Sequence, residues 1–584
     1  MKIVWKSRNA DQKSDDLHPL DSQGPIPAAI QRVLAGRGLK DLAQIETFLF
    51  PKLQSLKDPY SLMNMDLAVK RLAQAFVAKE KIAIYCDFDL DGTSGLALMM
   101  TGLTSMGFEN VVPYQPVRLA EGYGFHPEAV EALAADGVSL IVTVDVGITA
   151  TKAALKASEL GVDVIITDHH LPAEVLPVCW AVVNPNQQSD TSGLGYLSGA
   201  GVAFYLLRAL KRQMINSGLK SAENFELKDV LEYFTIATLT DMVPLIGDNR
   251  TLVKHGLIKL SQTEKPGIKA LKAGVGLDDR SLTSSDVAIR FAPKLNALSR
   301  LGSEILPIDI LLCNDGKMAQ SLIHRVLDNN QLRVQLQSEA EIEIKNFVAQ
   351  SAGENLMFMI SPKFHRGLVG LMATKMSQES QKPSFVGSLD ESTGQVVGSA
   401  RRPQDFDGCL VEMLTSAKDY LNRFGGHSQA AGFEFEYRHS EKIKTCMTNY
   451  FAENFTGAAF KNSERPLFYD TNLEFSEMNP ILMKWLEFLG PFGVQFESPV
   501  FCFKGVRLQG IKQLRGGHLR LTCINNDGTG VQEALLFSPT DAQRDLMTER
   551  SMTYDILGEL QWNYYNGQQT IQLLIKDLRV SLWQ

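Results

Sequence analysis

The sequence predicts an α/β protein of two lobes joined by a helical connector and followed by a small β-barrel, and three patterns predict it. From Lys81 to about Leu260, strand-length apolar runs alternate with helical stretches, the signature of a parallel sheet. Between about Pro307 and Gln350, apolar-periodic segments run on with few breakers after Gly316, which reads as a long helical connector. From about Arg465 onward, short alternating strands dominate. The stretch between connector and strands, about 354 to 455, returns to α/β patterning and forms the second lobe.

The totals bound the answer. At 584 residues the chain is too long for one core. Its 45% hydrophobic and 21% charged residues are ordinary for globular proteins. No apolar run approaches the roughly 18 residues of a membrane span, and Met1-Lys-Ile-Val-Trp-Lys-Ser has no signal-peptide core. Seven cysteines without a C-x-x-C pair fit neither a disulfide framework nor a zinc ribbon. A cytoplasmic protein without a membrane partner is expected. The net charge of −8 lacks the basic footprint usual in nucleic-acid binders, so any such binding requires a local basic channel.

Taken in order, residues 1–70 read as a helical preface. Pro25 and Pro27 precede the amphipathic run Ala28–Leu34, and Gly36 and Gly38 close it. The strand Lys81–Cys86 then runs into Asp87-Phe-Asp89-Leu-Asp91-Gly92-Thr93-Ser94, with Thr93 or Ser94 expected as the helix N-cap and Gly102 and Gly107 punctuating the helix. Three carboxylates at alternate positions repel one another unless a cation sits among them. A calcium loop of the EF-hand type also begins D-x-D-x-D-G. It needs a bidentate Glu at its twelfth position, which here is Leu98, and a helix ahead of it. A phosphate-handling metal site is the better reading.

The strand Ser139–Val144 delivers Asp145, Val162–Thr167 delivers Asp168-His169-His170, and the helix Lys228–Thr240 delivers Asp241. Ligands of such sheets bind beyond the carboxyl ends of the strands. One strand-end Asp can be a helix cap; three, with an adjacent His pair, are poorly explained as caps. Imidazole and carboxylate together suit manganese or magnesium better than structural zinc. Adjacent side chains diverge, so both histidines are not expected on one metal.

In the second lobe, Gly, Ser, Arg and His concentrate in two turn motifs, a composition suited to phosphate binding. A plain tight turn is the rival reading of Gly425-Gly426, and His427 directly after it favours function. The strands Val500–Arg507, His518–Cys523 and Ala534–Phe537 precede a last pair, Tyr554–Tyr564 and Thr570–Val580, which flanks the hairpin signal Asn566-Gly567. Such strands in the last stretch of about 120 residues fit an OB-type barrel. Lys512, Arg515, His518 and Arg520 with Trp562, Tyr564 and Tyr565 could form a strand-binding face, although alternating aromatics are commonly barrel core. No P-loop, H-E-x-x-H or dinucleotide-binding glycine pattern is present.

Asp-Phe-Asp-Leu-Asp-Gly, Thr-Val-Asp-Val-Gly, Asp-His-His and Thr-Asp-Met-Val-Pro-Leu, in that order, resemble the four motifs of the DHH phosphoesterase superfamily. Arg290-Phe-Ala-Pro-Lys-Leu-Asn-Ala-Leu-Ser-Arg300 resembles a signature of the RecJ family of single-strand exonucleases. Phe364-His365-Arg366-Gly367-Leu-Val-Gly370, Gly398-Ser399-Ala-Arg401 and Gly425-Gly426-His427-Ser-Gln-Ala-Ala-Gly432 resemble the accompanying DHHA1 domain. The resemblance runs from about Pro27 to the C-terminus. It divides the chain into the preface, a DHH catalytic domain (71–305), a helical connector (306–353), a DHHA1 domain (354–455) and an OB-type barrel (465–584).

The resemblance implies 5′-to-3′ hydrolysis of single-stranded DNA to 5′-mononucleotides by two-metal-ion chemistry, in DNA repair and recombination. Two divalent ions, manganese preferred and magnesium as the alternative, would be held by Asp89, Asp91, Asp145, His169 and Asp241. Asp87 would be a ligand or an acceptor beside the ligands, and His170 would hydrogen-bond a phosphoryl oxygen. Arg118, on the glycine-bearing loop after the second strand, would face the nucleic acid; a solvated surface arginine is its rival reading. Lys294, Asn296, Arg300, His365, Ser399, Arg401, Gly426 and His427 would complete the phosphate and strand contacts. The implied partners are single-stranded DNA, a single-strand-binding protein and a helicase, around a monomer. Lys294 departs from the pattern's Arg and cannot reproduce its bidentate fork. Leu298-Ser299, Arg366 and Ala400 depart as well, and none of these changes removes a metal ligand. Two rivals remain. A phosphodiesterase for oligonucleotides or cyclic dinucleotides is typically a shorter chain without connector and barrel. A non-catalytic replication scaffold would not keep the carboxylate set.

Overall fold

The computed structural model describes residues 3–8, 24–119, 121–278, 280–455, 464–525, 527–547, 552–565 and 568–581. They fall into two compact units. One comprises Lys57–Val243 and His255–Ser463, the other Met1–Leu56, Pro244–Lys254 and Glu464–Gln584.

The chain opens in the second of these units with β1 (Ile3–Ser7), α1 (Ala28–Gly36) and α2 (Leu42–Leu49). The preface is therefore not purely helical. β1 lies parallel to β12 (Arg465–Tyr469), and Trp5 Nε1 donates to Asp577 at 2.7 Å. Its ladder partner is near the other end of the sequence, where no local periodicity can announce it.

The first unit begins at α3 (Met65–Ala78) and winds β2 (Ile82–Cys86), α4 (Leu90–Ser105), β3 (Val111–Tyr114), α5 (Pro127–Ala135), β4 (Leu140–Val144), α6 (Thr151–Glu159), β5 (Asp163–Thr167) and β6 (Ala181–Val183). The five strands are parallel, in the order β3-β2-β4-β5-β6. Every residue of β2 and β4 is buried, as both-face burial of a parallel sheet requires. α7 (Gly199–Asn216) and α8 (Leu231–Thr240) pack against α4. The N-cap of α4 is Asp89, not Thr93 or Ser94: its Oδ1 accepts from Asp91 N and Gly92 N at 2.9 and 3.1 Å. The acidic residue ahead of the helix reaches the free N–H groups first, and Thr93 and Ser94 are buried inside the first turns.

α9 (Gly247–Ser261) includes the segment Pro244–Lys254 only in part, and that segment groups with the barrel rather than with the contiguous 71–305 expected from the sequence. Arg250 donates to the carbonyls of Leu489, Gly490 and Pro491, and Lys254 to those of Phe488 and Gly490. Two cations thus cap the C-terminus of a helix of the barrel unit. α10 (Pro266–Gly274) and α11 (Ser284–Asp286) follow, then a π-helical turn, Val287–Phe291, and α12 (Ala292–Leu301). Pro293 has no N–H to give to the carbonyl four residues earlier, which loosens the register there. After α13 (Pro307–Leu311) comes α14 (Gly316–Gln350), the connector as one continuous helix with α12 packed along it.

The second lobe holds β7 (Met357–Ser361), α15 (Val369–Ser380), β8 (Ser384–Asp390), β9 (Gln395–Arg401), α16 (Leu410–Thr415), β10 (Arg423–Gly426), β11 (Ala430–Glu436) and α17 (Ser440–Asn454), its sheet ordered β10-β11-β9-β8-β7. In the barrel unit, β12 and β13 (Thr471–Asn472) lead through α18 (Pro480–Leu489) to β14 (Phe501–Gln513), β15 (Leu519–Ile524), β16 (Val531–Leu536), α19 (Asp541–Leu546), β17 (Thr553–Tyr565) and β18 (Gln568–Val580). The pairing β14-β15-β16-β18-β17 closes through β14 and β17 into a five-stranded barrel. The expected hairpin joins β17 to β18, with Tyr565 opposite Gln568; Asn566 and Gly567 lie outside the described residues.

Candidate metal centre

Three parallel strands and one helix end at the same place. β2 delivers Asp87, β4 delivers Asp145, β5 delivers Asp168-His169-His170, and α8 delivers Asp241, while the start of α4 adds Asp89 and Asp91. Asp87, Asp91 and Asp145 are at most 4% exposed. His169 Nε2 lies 3.2 Å from Asp145, 3.6 Å from Asp241 and 3.9 Å from Asp91. Three sets bring donor atoms within 4.8 Å of one another: Asp91, His169 and Asp241; Asp87, Asp89 and Asp145; and Asp145, His169 and His170. Asp145 and His169 each belong to two of them.

The backbone is shaped for this cluster. Asp145 sits at φ +64°, a left-handed conformation unusual for a non-glycine residue. Gly199, opening α7, lets it approach: a Cβ there would fall 2.3 Å from Asp145 Cβ. Asp91 accepts from Gly199 N at 2.6 Å and Ala200 N at 3.0 Å, so its carboxylate faces the positive end of α7.

Buried carboxylates this close are costly without a counter-charge. Burial, then Asp89, pushes Asp87 up to about 8. Burial and the neighbouring carboxylates push Asp91 and Asp145 well above the usual range, and burial raises Asp241. Burial lowers His169, keeping it the neutral imidazole that a metal prefers. Asp87 Oδ1, Asp145 Oδ1 and His169 Nε2 are buried without a hydrogen-bond partner. Two orphaned carboxylate oxygens and one orphaned imidazole nitrogen make a donor set that fits divalent cations.

His170 is held differently. Its Nδ1 is 2.7 Å from Asp168 Oδ1 and 3.8 Å from Asp145, which leaves Nε2 as the nitrogen outside that bond. The two imidazoles, expected to diverge, have ring centroids only 4.6 Å apart and share a donor set with Asp145, because both ride on one tight strand end. Asp168 is fully buried and also accepts from the backbone N–H groups of Ile148, His169 and His170. Burial opposes its charge, but the bonds from His170 and from these amides outweigh burial and hold the carboxyl below its ordinary value. Burial likewise opposes charge on His170, yet Asp168 raises it to about 9. Sequence reasoning gave Asp168 no definite role; its place directly before the His pair was the available signal. Tyr123, also missed, stands edge-on to His170 and Phe88 at 6.0 and 6.3 Å.

Beside the acids lies a cationic group. Arg118 stacks over Phe88 with its guanidinium carbon 4.6 Å from the ring centroid. Burial lowers it, while Asp87 and Asp89 support its charge, so it is no free surface arginine. Arg300, on α12, is brought down to about 10 by burial and by Arg118, Arg333 and Arg401 around it. Arg401, on β9, donates to Ser399 Oγ and Ala400 O, both at 2.8 Å. Gly367 rests on Arg300, where a Cβ would come within 1.7 Å of the arginine's carbonyl oxygen, and His365 accepts from Gly367 N at 3.2 Å. Lys294 and Asn296 share α12 with Arg300.

Other expected contacts are arranged otherwise. Gly426, at φ +142°, belongs to the β10–β11 turn, and a Cβ there would meet Ala430 O at 2.3 Å. The turn explains this glycine without a phosphate. His427 is exposed on that turn, its N–H donating to Ala430, the residue paired with Arg401. The barrel face is divided. Arg520 is tied to Glu533, His518 accepts from Ser538 N and packs on Phe537, and Trp562 turns to Glu487 and the barrel core. Lys512 and Arg515 are exposed, and Tyr564 accepts from Gln569; the side chain of Tyr565 lies outside the described residues.

The model of the DHH family, N-terminal domain, matches residues 81–238, and that of the RecJ OB domain matches residues 469–577. The single-stranded-DNA-specific exonuclease RecJ of Thermus thermophilus is 30% identical over 538 residues, covering 91% of this chain and 73% of that protein. Its counterpart from Escherichia coli is 28% identical over 593 residues, covering 99% of each. The crystal structure of RecJ in complex with Mn2+ from Thermus thermophilus matches with a TM-score of 0.75 at 27% identity, over 94% of this chain and 76% of that one. A crystal structure of exonuclease RecJ bound to manganese matches with a TM-score of 0.59 at 32% identity, over 68% of this chain and 96% of that one.

Proposed function

Because the chain belongs to the RecJ family of single-stranded-DNA-specific exonucleases, we propose that its strand-end acids hold the metals, that its cationic group holds the strand, and that it cuts from the 5′ end. The protein is a metal-dependent exonuclease of single-stranded DNA, and its cofactors are divalent ions; relatives have been solved with Mn2+ and with Mg2+. The single observation that carries the residue assignment is the cluster itself. Buried carboxylates that repel one another converge, with three orphaned donor atoms among them, where a parallel sheet binds its ligands.

Asp91, His169 and Asp241 would hold one ion and Asp87, Asp89 and Asp145 the other, and Asp145, which also shares a donor set with His169 and His170, would be the carboxylate common to both. When bound, the ions supply Lewis acidity at the phosphoryl group and a water activated for attack. The protein's own groups do the rest. Asp168 fixes the ring of His170 through Nδ1, leaving Nε2 to donate to a phosphoryl oxygen. Ser399 and Arg401 grip the 5′-terminal phosphate, and Arg118 and Arg300 share the charge of the strand. His427 stands beside the next nucleotide. A local cationic wall of this kind reconciles strand binding with a net charge of −8. The product is a 5′-mononucleotide. The same reading makes the protein a cytoplasmic monomer of DNA repair and recombination, working with a single-strand-binding protein and a helicase. Among the described residues no helix is long and apolar enough to cross a membrane.

The test uses 5′-phosphorylated single strands labelled at either end, with Mn2+ or with chelator. Mononucleotides should leave the 5′ end only when metal is present. Release from the 3′ end would overturn the polarity, and cleavage in chelator would overturn the metal assignment.

A further inference from the structure

Resting on that reading, a second group of cations, on α12 and α14, adjoins Arg300. Ser299 Oγ donates to Phe88 O at 3.2 Å, pinning the C-terminal end of α12 to the acidic loop. Lys294 lies six residues, about 9 Å, from Arg300 along the axis of α12. Alongside runs α14, which supplies Arg333. Its guanidinium donates to Asn330 Oδ1 at 3.1 and 3.4 Å and to Gln337 Oε1 at 2.9 Å, and Gln337 is itself anchored on Glu341 at 3.0 Å. Amides three residues back and four ahead therefore orient the guanidinium without neutralising it. A structural arginine would more commonly face a carboxylate, whereas an oriented, uncompensated one is prepared for an external anion.

The cations divide into two groups that meet at Arg300. Arg118 and Arg401 each act on Arg300, and Arg118 acts on Arg401. Arg333, on the helix packed along α12, acts on both Arg300 and Lys294, and Arg290 acts on Lys294. Among the described residues, Lys294, Arg300, Arg333 and Arg401 have no carboxylate within ion-pair distance. Asp87 and Asp89 offset part of the charge of Arg118, Asp89 also part of that of Arg300, and Asp286 faces Arg290. Lys294 and Arg333 add positive charge with no carboxylate of their own, an excess that a polyanion would answer. One phosphate at Ser399 and Arg401 answers the first group and leaves the second unmet.

We propose that Arg333 and Lys294 form a sequence-independent subsite for an internal phosphodiester of the substrate strand, separate from the pocket for its 5′-terminal phosphate. The subsite makes strand length, rather than the chemistry of the end, the quantity that Arg333 senses.

The experiment compares wild type, Arg333→Gln, Lys294→Gln and Lys345→Gln. Lys345 is an exposed residue of the same helix and controls for charge and folding. Binding of a strand of about 12 nucleotides is measured in chelator from about 50 to about 200 mM salt. It is measured with a 5′-phosphate and with a 5′-hydroxyl. Arg333→Gln and Lys294→Gln should each weaken binding about ten-fold, equally for both ends. Loss of one phosphate contact should make the plot of log affinity against log salt shallower by about 0.7. With Mn2+, the ratio of kcat/KM on the long strand to that on a dinucleotide should fall in both variants. Affinity and slope equal to those of Lys345→Gln would overturn the subsite, and so would a loss confined to 5′-phosphorylated strands. Because binding is read without metal, a protein inactive on every strand would count against the nuclease reading and leave the subsite to be judged by its salt slope.

Discussion

Gly199→Ala adds a single methyl group and tests whether the position of Asp145 is what the centre depends on. The new Cβ would stand 2.3 Å from Asp145 Cβ and 2.6 Å from its Cα. Carbon atoms rest at about 3.5 Å or more, so one residue must retreat by about 1 Å. Asp145 has little room to do so, since it is 2% exposed and already at φ +64°. A misplacement of about 1 Å in a catalytic constellation costs on the order of a hundredfold in rate. The assay is Mn2+ binding by calorimetry together with kcat/KM on a 5′-phosphorylated strand, with folding followed by thermal melting. Gly316→Ala is the control, because a Cβ there meets nothing within 4 Å. Gly199→Ala should weaken Mn2+ binding and lower kcat/KM by about a hundredfold while strand binding in chelator persists. A folded variant with activity within about twofold of wild type would refute the reasoning, because it would show that Asp145 can be displaced without consequence.

Two other outcomes follow from the same geometry. If Arg401 grips the 5′-terminal phosphate as proposed, Arg401→Ala should remove a forked, charge-assisted contact worth about 1.5–3 kcal/mol; degradation of 5′-phosphorylated strands should slow about ten- to a hundredfold and that of 5′-hydroxyl strands little, and equal losses would remove Arg401 from the end site. The metal-free protein should lose stability as pH rises between about 6.5 and 8. There Asp87, raised to about 8, and His170, raised to about 9, hold protons in the folded state that the unfolded chain has released, so folding takes up protons and rising pH opposes it. Saturating Mn2+ should reverse the trend by displacing protons from the carboxylates, and a melting temperature that rises with pH in chelator would contradict these raised values.

What the sequence revealed was whatever depends on one strand and the loop after it. An apolar run ending in Asp marks a parallel strand and its functional end, so Asp87, Asp145 and the His pair were legible, as were the connector and the barrel strands. What escaped depends on contacts between distant segments. The partner of Ile3–Ser7 is a strand near the other end of the chain. The segment Pro244–Lys254 follows the barrel unit because Arg250 and Lys254 cap a helix there, and nothing in its own pattern says so. Gly199 looks like any helix-opening glycine until Asp145 stands against it. Arg333 lies in a run whose charges read as a solvated face, and only the amides at Asn330 and Gln337, with α12 alongside, set it apart. Within one loop the acids themselves misled, since Asp89 takes the capping role that Thr93 and Ser94 seemed suited to.

The most direct test of the account is Asp145→Ala, compared with wild type on a 5′-phosphorylated single strand in Mn2+ and, for binding, in chelator. Removing the carboxylate common to two donor sets should abolish release of mononucleotides and weaken Mn2+ binding. Binding of the strand should stay within a few-fold of wild type, because most of that affinity comes from phosphate contacts elsewhere. Mn2+-dependent hydrolysis that persists in a clean preparation of Asp145→Ala would contradict the metal centre described for this protein.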